Sequence, residues 1–410
     1  MTQELKSKYQ DIKFQVKLIH WSDYEHESPI LLQDINGPCP LIALVNTLIL
    51  KYEIKYRNYQ INSDFTNPDK KEEDDQLRIF ESIGNLKKYL MNNVDGSASM
   101  DKLLSQLGDI LLVFNDIDDI DDKEGESLDK LLESLPLLHT GLTVNPNLVT
   151  GDFPSNELAS ILFKKFHLTF KHGWILDQVN DEKFDGDYGK LVDILNDLQT
   201  FDKIQDYLLS EDSNKYLVEK WLELNKTQLT KNGLKKLNLN LNTDNFIIFF
   251  RNNHFVTLYK RSDNDFYILV TDAIFNNKSS NKKIVWQSLI SVSGIDDLFF
   301  TGDFIPSFGD DTFDVMNDEN DESYKLIKQL QEEEDQRMAQ ELQAKLNHKK
   351  TIESKTIEND KNKKKLSKKH SFTGRIKDRP KDKPKDKPKD KLKDKPKSKS
   401  KDKNGQCIIV

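Results

Sequence analysis

The chain has 410 residues, 36% of them hydrophobic, two cysteines and a formal net charge of −8. That total hides two halves: residues 361–410 hold 21 basic and 6 acidic groups, net +15, whereas the first 360 residues hold 40 and 63, net −23. Two cysteines 368 positions apart argue against a secreted disulfide framework. MTQELKSKYQ reads as polar rather than as a signal peptide, and no apolar run reaches the roughly 18 residues of a membrane span. An acidic body does not bind nucleic acid unaided. A cytosolic protein is expected.

In chain order, DIKFQVKLIHW alternates through Phe14, Val16 and Leu18 and reads as an entry strand. LLQDINGPCPLIALVNTLIL, residues 31–50, passes from a polar turn into a long apolar run. Residues 58–75 read as a polar loop, and 76–93 and 100–107 as short helices broken by DGSAS. DILLVFNDIDDIDDKEGESLDKLLESLPLL ends in an acidic helix, GLTVNPNLVTGDF is loop-like, PSNELASILFKKF has helical spacing, and KHGWILDQ ends in a short apolar stretch. KLVDILNDLQTFDKIQDYLLS and KYLVEKWLELNKTQLTKNGLKKL are helical by spacing. NFIIFFRNNHFVTLYKRSDNDFYILVTDAIF then reads as a meander of three strands, 246–250, 254–260 and 266–272, with turns at 251–253 and 262–265. Helices followed by an antiparallel sheet predict an α+β domain over residues 12–306. Beyond it, residues 321–348 read as a charged accessory helix. Residues 349–406 are Lys/Asp/Pro-rich, with Pro380, Pro384, Pro388 and Pro396 at multiples of four, and are expected to be disordered.

Cys39 sits between Pro38 and Pro40 where the apolar run begins. Pro40 suits a first helical turn, and Leu41, Ile42, Leu44, Val45, Leu48 and Ile49 supply a buried face. That puts Cys39 at or next to an N-cap, where unpaired N–H groups and the helix dipole lower a thiol pKa. Asn36-Gly37 can form the tight turn that exposes it. A small buried hydrophobe at a helix start explains the same residues; a base and an oxyanion donor decide between the two. Of eight histidines, His254 begins a strand straight after a turn, where a sheet can fix an imidazole that still faces a cleft. Such a group takes a thiol proton and returns it to the leaving amine. His172, beside Gly173 and Trp174, is the rival; His139 and His167 are weaker. Gln33, six residues before Cys39, can bring an amide to an attacked carbonyl. No paired Cys or His spacing supports a metal site, and no cofactor is implied.

The stretch Gln33-Asp34-Ile35-Asn36-Gly37-Pro38-Cys39-Pro40-Leu41-Ile42-Ala43-Leu44 closely resembles the cysteine-nucleophile signature of the MINDY deubiquitinases. Gly141-Leu142-Thr143-Val144-Asn145, His172-Gly173-Trp174, Gln228-Leu229-Thr230 with Gly233-Leu234, His254-Phe255 and Val270-Thr271-Asp272 look like further landmarks of that family, in order, over about residues 12–305. The resemblance implies a papain-like-related α+β cysteine protease that hydrolyses isopeptide bonds in lysine-48-linked polyubiquitin, working from the distal end. Cys39 would be the nucleophile, His254 base and acid, and Gln33 the oxyanion donor, with Asn36 holding the loop in a resting state. One departure is Ala273, where the family pattern leads us to expect a glutamine after Val-Thr-Asp. Asp272 is the acidic group available on the adjacent strand to orient His254.

In the accessory helix, Glu332 to Asp335 precede Met338, Ala339 and Leu342, which share one narrow face. A small residue between larger apolar ones admits a partner's apolar patch, with the acidic cluster at its rim. Asp335, Met338, Ala339 and Leu342 thus resemble an inverted ubiquitin-interacting motif; a solvated spacer is the plainer alternative. Cys407-Ile408-Ile409-Val410 makes a prenylation box behind a basic run. A prenyltransferase and an anionic membrane surface are its implied partners, the lysines supplying the second membrane signal. The expected protein is a monomer, peripherally membrane-bound. Two other functions compete: a non-catalytic ubiquitin-chain adaptor at a membrane, and nucleic-acid binding by the tail. The latter is disfavoured by the absence of interleaved aromatics and the Lys/Asp alternation.

Overall fold

Phe14, Val16, Ile19 and Trp21 are buried along the first strand, β1 (Lys13–Trp21). This strand is the centre of a three-stranded antiparallel sheet, flanked by β2 (Tyr24–Leu31) and β3 (Ser97–Ser99). The computed structural model describes residues 11–22, 24–34, 39–62, 70–94, 96–118, 127–177, 182–184, 186–276 and 283–307, with the backbone alone at Glu25, Cys39, Asn62 and Glu182. The accessory helix, the tail and the prenylation box lie outside the described residues.

A six-stranded sheet runs in the order β4 (Phe170–His172), β5 (Asn245–Arg251), β6 (His254–Ser262), β7 (Asp265–Leu269), β8 (Ile284–Ser288), β9 (Phe299–Thr301). β4 is parallel to β5 and every other pair is antiparallel. β5 is apolar without alternation because both of its faces are covered: Ile248 and Phe250 pack under the first helix, Ile247 and Phe249 against the last. The expected α+β class and meander are present. The meander's last strand ends at Leu269, where its chain leaves β6.

Ten α-helices are present among the described residues: α1 (Cys39–Asn62), α2 (Lys70–Met91), α3 (Met100–Asp118), α4 (Leu128–Ser134), α5 (Leu137–Thr140), α6 (Leu158–Lys165), α7 (Tyr188–Leu198), α8 (Phe201–Leu208), α9 (Lys215–Leu224) and α10 (Lys231–Asn240). Three expectations need correction. The loop expected over 58–75 is partly helical: α1 continues through Asn62 and α2 begins at Lys70, with Glu72 and Glu73 in its first turn, where carboxylates suit the dipole. Residues 63–69 are outside the description. The helix expected over 100–107 runs to Asp118, because Met100, Leu103, Leu107, Ile110, Leu111 and Phe114 keep one buried stripe going. DGSAS is likewise more than a break, since its Ser97–Ser99 pairs with β1.

The largest cluster of buried side chains joins the first half of α1 to α2, α3, α6 and the β5–β6 hairpin. A second, around Trp21, Tyr259 and Trp286, takes in Leu50 and Ile54 of α1. A third gathers α7, α8 and α9 around Trp174 and Trp221, and a fourth lies under α10. Helix α1 is therefore a central element: every residue from Leu41 to Leu50 is buried, including the polar Asn46 and Thr47.

Asn46 explains how β2 is held. Leu32 N–H donates to Gln15 O (3.0 Å), so the groups of Leu31 point away from β1 at the sheet's outer edge. Asn46 meets both: its Oδ1 accepts the Leu31 N–H (2.8 Å) and its Nδ2 donates to Leu31 O (3.0 Å), as a further strand would. Asn46→Leu would leave two buried main-chain groups unpaired at about 1–3 kcal/mol each. Urea unfolding should show a loss of about 2–4 kcal/mol; a loss below about 0.5 kcal/mol would contradict this role.

Candidate active site

Helix α1 and strand β6 run in the same direction. Leu41 to Ile49 share a cluster with Phe250 and Phe255, near the start of β6, while Leu50 and Ile54 share one with Tyr259, farther along it. Their register is set by two buried hydroxyls. Thr47 Oγ1 and Thr257 Oγ1 are 2.9 Å apart, and Thr257 Oγ1 also reaches Ala43 O at 3.4 Å. Thr257 thus sits across one turn of α1. Cys39 is one turn before Ala43, and His254 is three residues before Thr257, so the N-terminus of α1 and the start of β6 lie at a common end.

His254 follows a two-residue hairpin turn. Arg251 and His254 are paired across it, and Asn252 and Asn253 have φ of 52° and 61°. Positive φ at both positions is the type I′ signature, which Asn tolerates better than other side-chain-bearing residues. The turn is thus tighter than the three-residue turn expected. His254 itself is exposed, whereas Phe255 is buried.

Gln33 reaches the same end through its backbone. Its N–H donates to Thr271 O (2.7 Å) and its carbonyl accepts the Ala273 N–H (3.0 Å), a parallel bridge to Asp272. Val270 N–H points to β8, bonding Val285 O at 2.9 Å. Alternation along an extended chain therefore turns Thr271 O and Ala273 N toward the β6 side. The β6–β7 ladder stops at the Leu258–Ile268 pair, and beyond it Gln33 occupies the β6-facing edge of the Asp272 segment. Replacing the expected glutamine by Ala273 leaves this main-chain contact intact. Asp272 Oδ1 accepts the Ile274 N–H (2.9 Å), committing part of its carboxylate to the turn Ala273–Asn276. Desolvation by surrounding chain raises its pKa, the Ile274 N–H opposes this, and the charge of Asp34 adds to it.

The rival histidines are occupied otherwise. His172 is fully buried; its Nδ1 accepts the Trp174 N–H (3.1 Å) and its Nε2 lies 3.2 Å from Asp152 O, which fixes a neutral tautomer. Burial lowers its pKa to about 4. An unfolded chain takes up that proton near pH 6.5 and the native one near 4, so this residue's contribution to stability is complete above pH 6.5 and declines as pH falls toward 4. His167 Nε2 contacts Asp118 at 2.9 Å, and burial lowers the pKa of His139. Cys39 is the first residue of α1, and Pro40 beside it is buried. Asn36, Asp335, Met338, Ala339, Leu342 and Cys407 lie outside the described residues.

A family model described as MINDY deubiquitinase matches residues 12–304. The chain belongs to the MINDY deubiquitinase family. It is thereby a cysteine-type deubiquitinase. Among its relatives, the ubiquitin carboxyl-terminal hydrolase MIY1 of Saccharomyces cerevisiae is 32% identical over 87% of this chain and 95% of its own length. The ubiquitin carboxyl-terminal hydrolase MINDY-1 of Mus musculus is 31% identical over 70% of this chain and 53% of its own length. The Homo sapiens MINDY-2 enzyme is 28% identical over 78% of this chain and 46% of its own length. This MINDY chain therefore spans nearly all of the yeast relative and about half of the mammalian ones.

Sequence reasoning missed the residues that join α1 to β6 at this candidate site. Thr47 and Thr257 are 210 positions apart, and no local pattern marks them as partners. The Asn-Asn pair before His254 did carry a signal, because two residues tolerant of positive φ between strands indicate a type I′ turn.

Proposed function

We propose that this MINDY deubiquitinase hydrolyses isopeptide bonds in lysine-48-linked polyubiquitin, trimming chains from the distal end. The Cys39 thiolate attacks the isopeptide carbonyl carbon, and the carbonyl π electrons move to oxygen. The Gln33 side-chain amide donates to that oxyanion. Collapse expels the lysine ε-amine, which takes its proton from the His254 imidazolium and leaves a thioester. Water, deprotonated by His254, then attacks the thioester; its collapse frees the ubiquitin carboxylate and restores Cys39. Asn36 holds the cysteine loop at rest in the absence of substrate.

The observation that supports these roles best is the common end of α1 and β6, with Gln33 bridged to Asp272 beside it. A helix N-terminus lowers the pKa of a thiol there, and strand β6 gives an imidazole a fixed base. Lysine-48 preference and distal trimming rest on the family resemblance. The accessory helix, through Asp335, Met338, Ala339 and Leu342, is proposed to hold a ubiquitin of the chain. Cys407 is proposed to carry a prenyl group that, with the lysines before it, takes the protein to an anionic membrane surface.

Purified enzyme should cut lysine-48-linked tetra-ubiquitin and leave lysine-63-linked and linear chains largely intact. Cys39→Ala should abolish cleavage with chain capture retained, and Gln33→Ala should lower kcat about 10²-fold. A residual Cys39→Ala rate within about tenfold of the parent would sink the nucleophile assignment. Capture of long chains by the Cys39→Ala protein should weaken when residues 331–346 are deleted; unchanged affinity would leave that helix a spacer. Cys407→Ser should move the protein from membrane to soluble fractions, and an unshifted distribution would mean the box is unused.

A further inference from the structure

The tip of the β5–β6 hairpin is gripped from outside the sheet by one short segment, Asn225 to Thr230. Gln228 is its centre. Although 7% exposed, it makes a two-point contact with the turn: its Nε2 donates to Asn253 Oδ1 (2.7 Å) and its Oε1 accepts the Asn253 N–H (2.8 Å). Gln228 has a φ of 53°, in the left-handed region that costs a long side chain about 1–2 kcal/mol. Its N–H bonds Asn225 O at 2.9 Å, closing the bend. One residue earlier, Thr227 O accepts from Arg251 Nε (3.3 Å), on the strand position paired with His254.

The segment is anchored to the body of the fold. Leu229 bridges Gly173 in parallel, Thr230 N–H donates to Gly173 O (3.0 Å), and Thr230 Oγ1 donates to Ile175 O (2.5 Å). Helix α10 approaches so closely that a Cβ on Gly233 would lie 1.8 Å from Gly173 O. Gln228 thus links a rigid support to the residue immediately before His254. A type I′ turn made of two asparagines has no glycine to relax it, and this amide pair holds its second residue from outside the hairpin. Nothing else in the proposed chemistry uses Gln228.

We propose that Gln228 is a positioning residue for the deubiquitinase reaction: by clasping Asn253 it fixes the hairpin turn and so the attitude of His254 toward Cys39. The inference rests on the catalytic roles proposed above for His254 and Cys39. Gln228 does not touch the reacting atoms; its effect is expected on the chemical step and on the thiolate–imidazolium pair, not on chain binding.

The test uses the full chain and lysine-48-linked ubiquitin chains, with folding checked by thermal unfolding. Gln228→Met keeps the side chain's length and removes both hydrogen bonds. It should lower kcat about 10–100-fold, as a misplaced catalytic group does, with KM within about twofold. In the same variant the pH profile of Cys39 alkylation by iodoacetamide, read at the Cys39 peptide by mass spectrometry, should shift upward toward that of an ordinary thiol near 8.5. Adding Asn253→Gly, which makes the turn Asn-Gly and intrinsically type I′, should restore most of the kcat lost relative to Asn253→Gly alone. If Gln228→Met does not fold, Gln228→Glu carries the test. It keeps the acceptor for the Asn253 N–H and loses the donor, so its kcat should be reduced and its alkylation profile shifted. His254→Ala separates the two layers. An inactive His254→Ala beside a Gln228 variant with wild-type kcat and an unshifted profile would overturn this inference alone; an active His254→Ala would overturn the His254 assignment and the inference with it. A loss in Gln228→Met that Asn253→Gly does not restore would also overturn it.

Discussion

The hydroxyl pair Thr47–Thr257 sets where everything else at the site falls. Leu41 to Leu50 are buried on all sides of α1, and an apolar helix in an apolar setting has little to fix its axial position, because dispersion and burial are non-directional. Hydrogen bonds inside such a core are directional, and a misregistered one leaves a polar group unpaired at about 1–3 kcal/mol. Asn46 and Thr47 are adjacent polar residues within that stretch. One takes the outer edge of β2, two residues before Gln33; the other takes β6, three residues after His254. A one-turn slip of α1 would break both. The helix that begins at Cys39 is thereby locked to the two segments that carry its proposed partners.

The far part of α1 is fixed by a different device. Glu53 is buried, pairs with Lys87 of α2 at 2.7 Å, and accepts from Ser28 Oγ at 2.5 Å. Ser28 Oγ in turn accepts from Trp21 Nε1 at 3.0 Å. Burial raises the Glu53 pKa, and Lys87 and Ser28 work against it. Ion-paired and hydrogen-bonded on both sides, this carboxylate ties α1 to α2, β1 and β2. A buried pair of this kind is weak evidence for extra stability and better understood as a constraint on arrangement. Two polar fastenings, one in the middle of the buried face and one near its far end, resist sliding or rolling of α1 relative to the sheets.

The sequence made part of this legible. The transition from Asn36-Gly37 to an apolar run announced α1 and its N-terminal cysteine, and β-branched and aromatic alternation announced β6 with His254 at its start. Those signals are local, and local physics suffices for them. The parallel strand β4, three residues long, carries too few residues for a period. β2 reads YEHESPIL, with no apolar alternation, and its outer edge at Leu31 is met by Asn46 rather than by a strand. Helix α3 runs on past residue 107 because its buried stripe continues through Ile110, Leu111 and Phe114 before the acidic run begins. Gln33 was chosen for its amide, whereas the main-chain bridge that holds it reaches Asp272, 239 positions away. Long-range pairs of this kind depend on how two elements meet, which no window of sequence contains.

The central claim is that α1 and β6 are keyed so that Cys39 and His254 act on one carbonyl. The most direct test is reaction of the full chain with ubiquitin carrying a thiol-reactive electrophile in place of its C-terminal carboxylate, with the adduct mapped by peptide mass spectrometry. The account predicts a single adduct, on Cys39 and not Cys407, whose formation slows at least about 10²-fold in His254→Ala. An adduct on Cys407, or a His254→Ala protein that reacts at the wild-type rate, would contradict it.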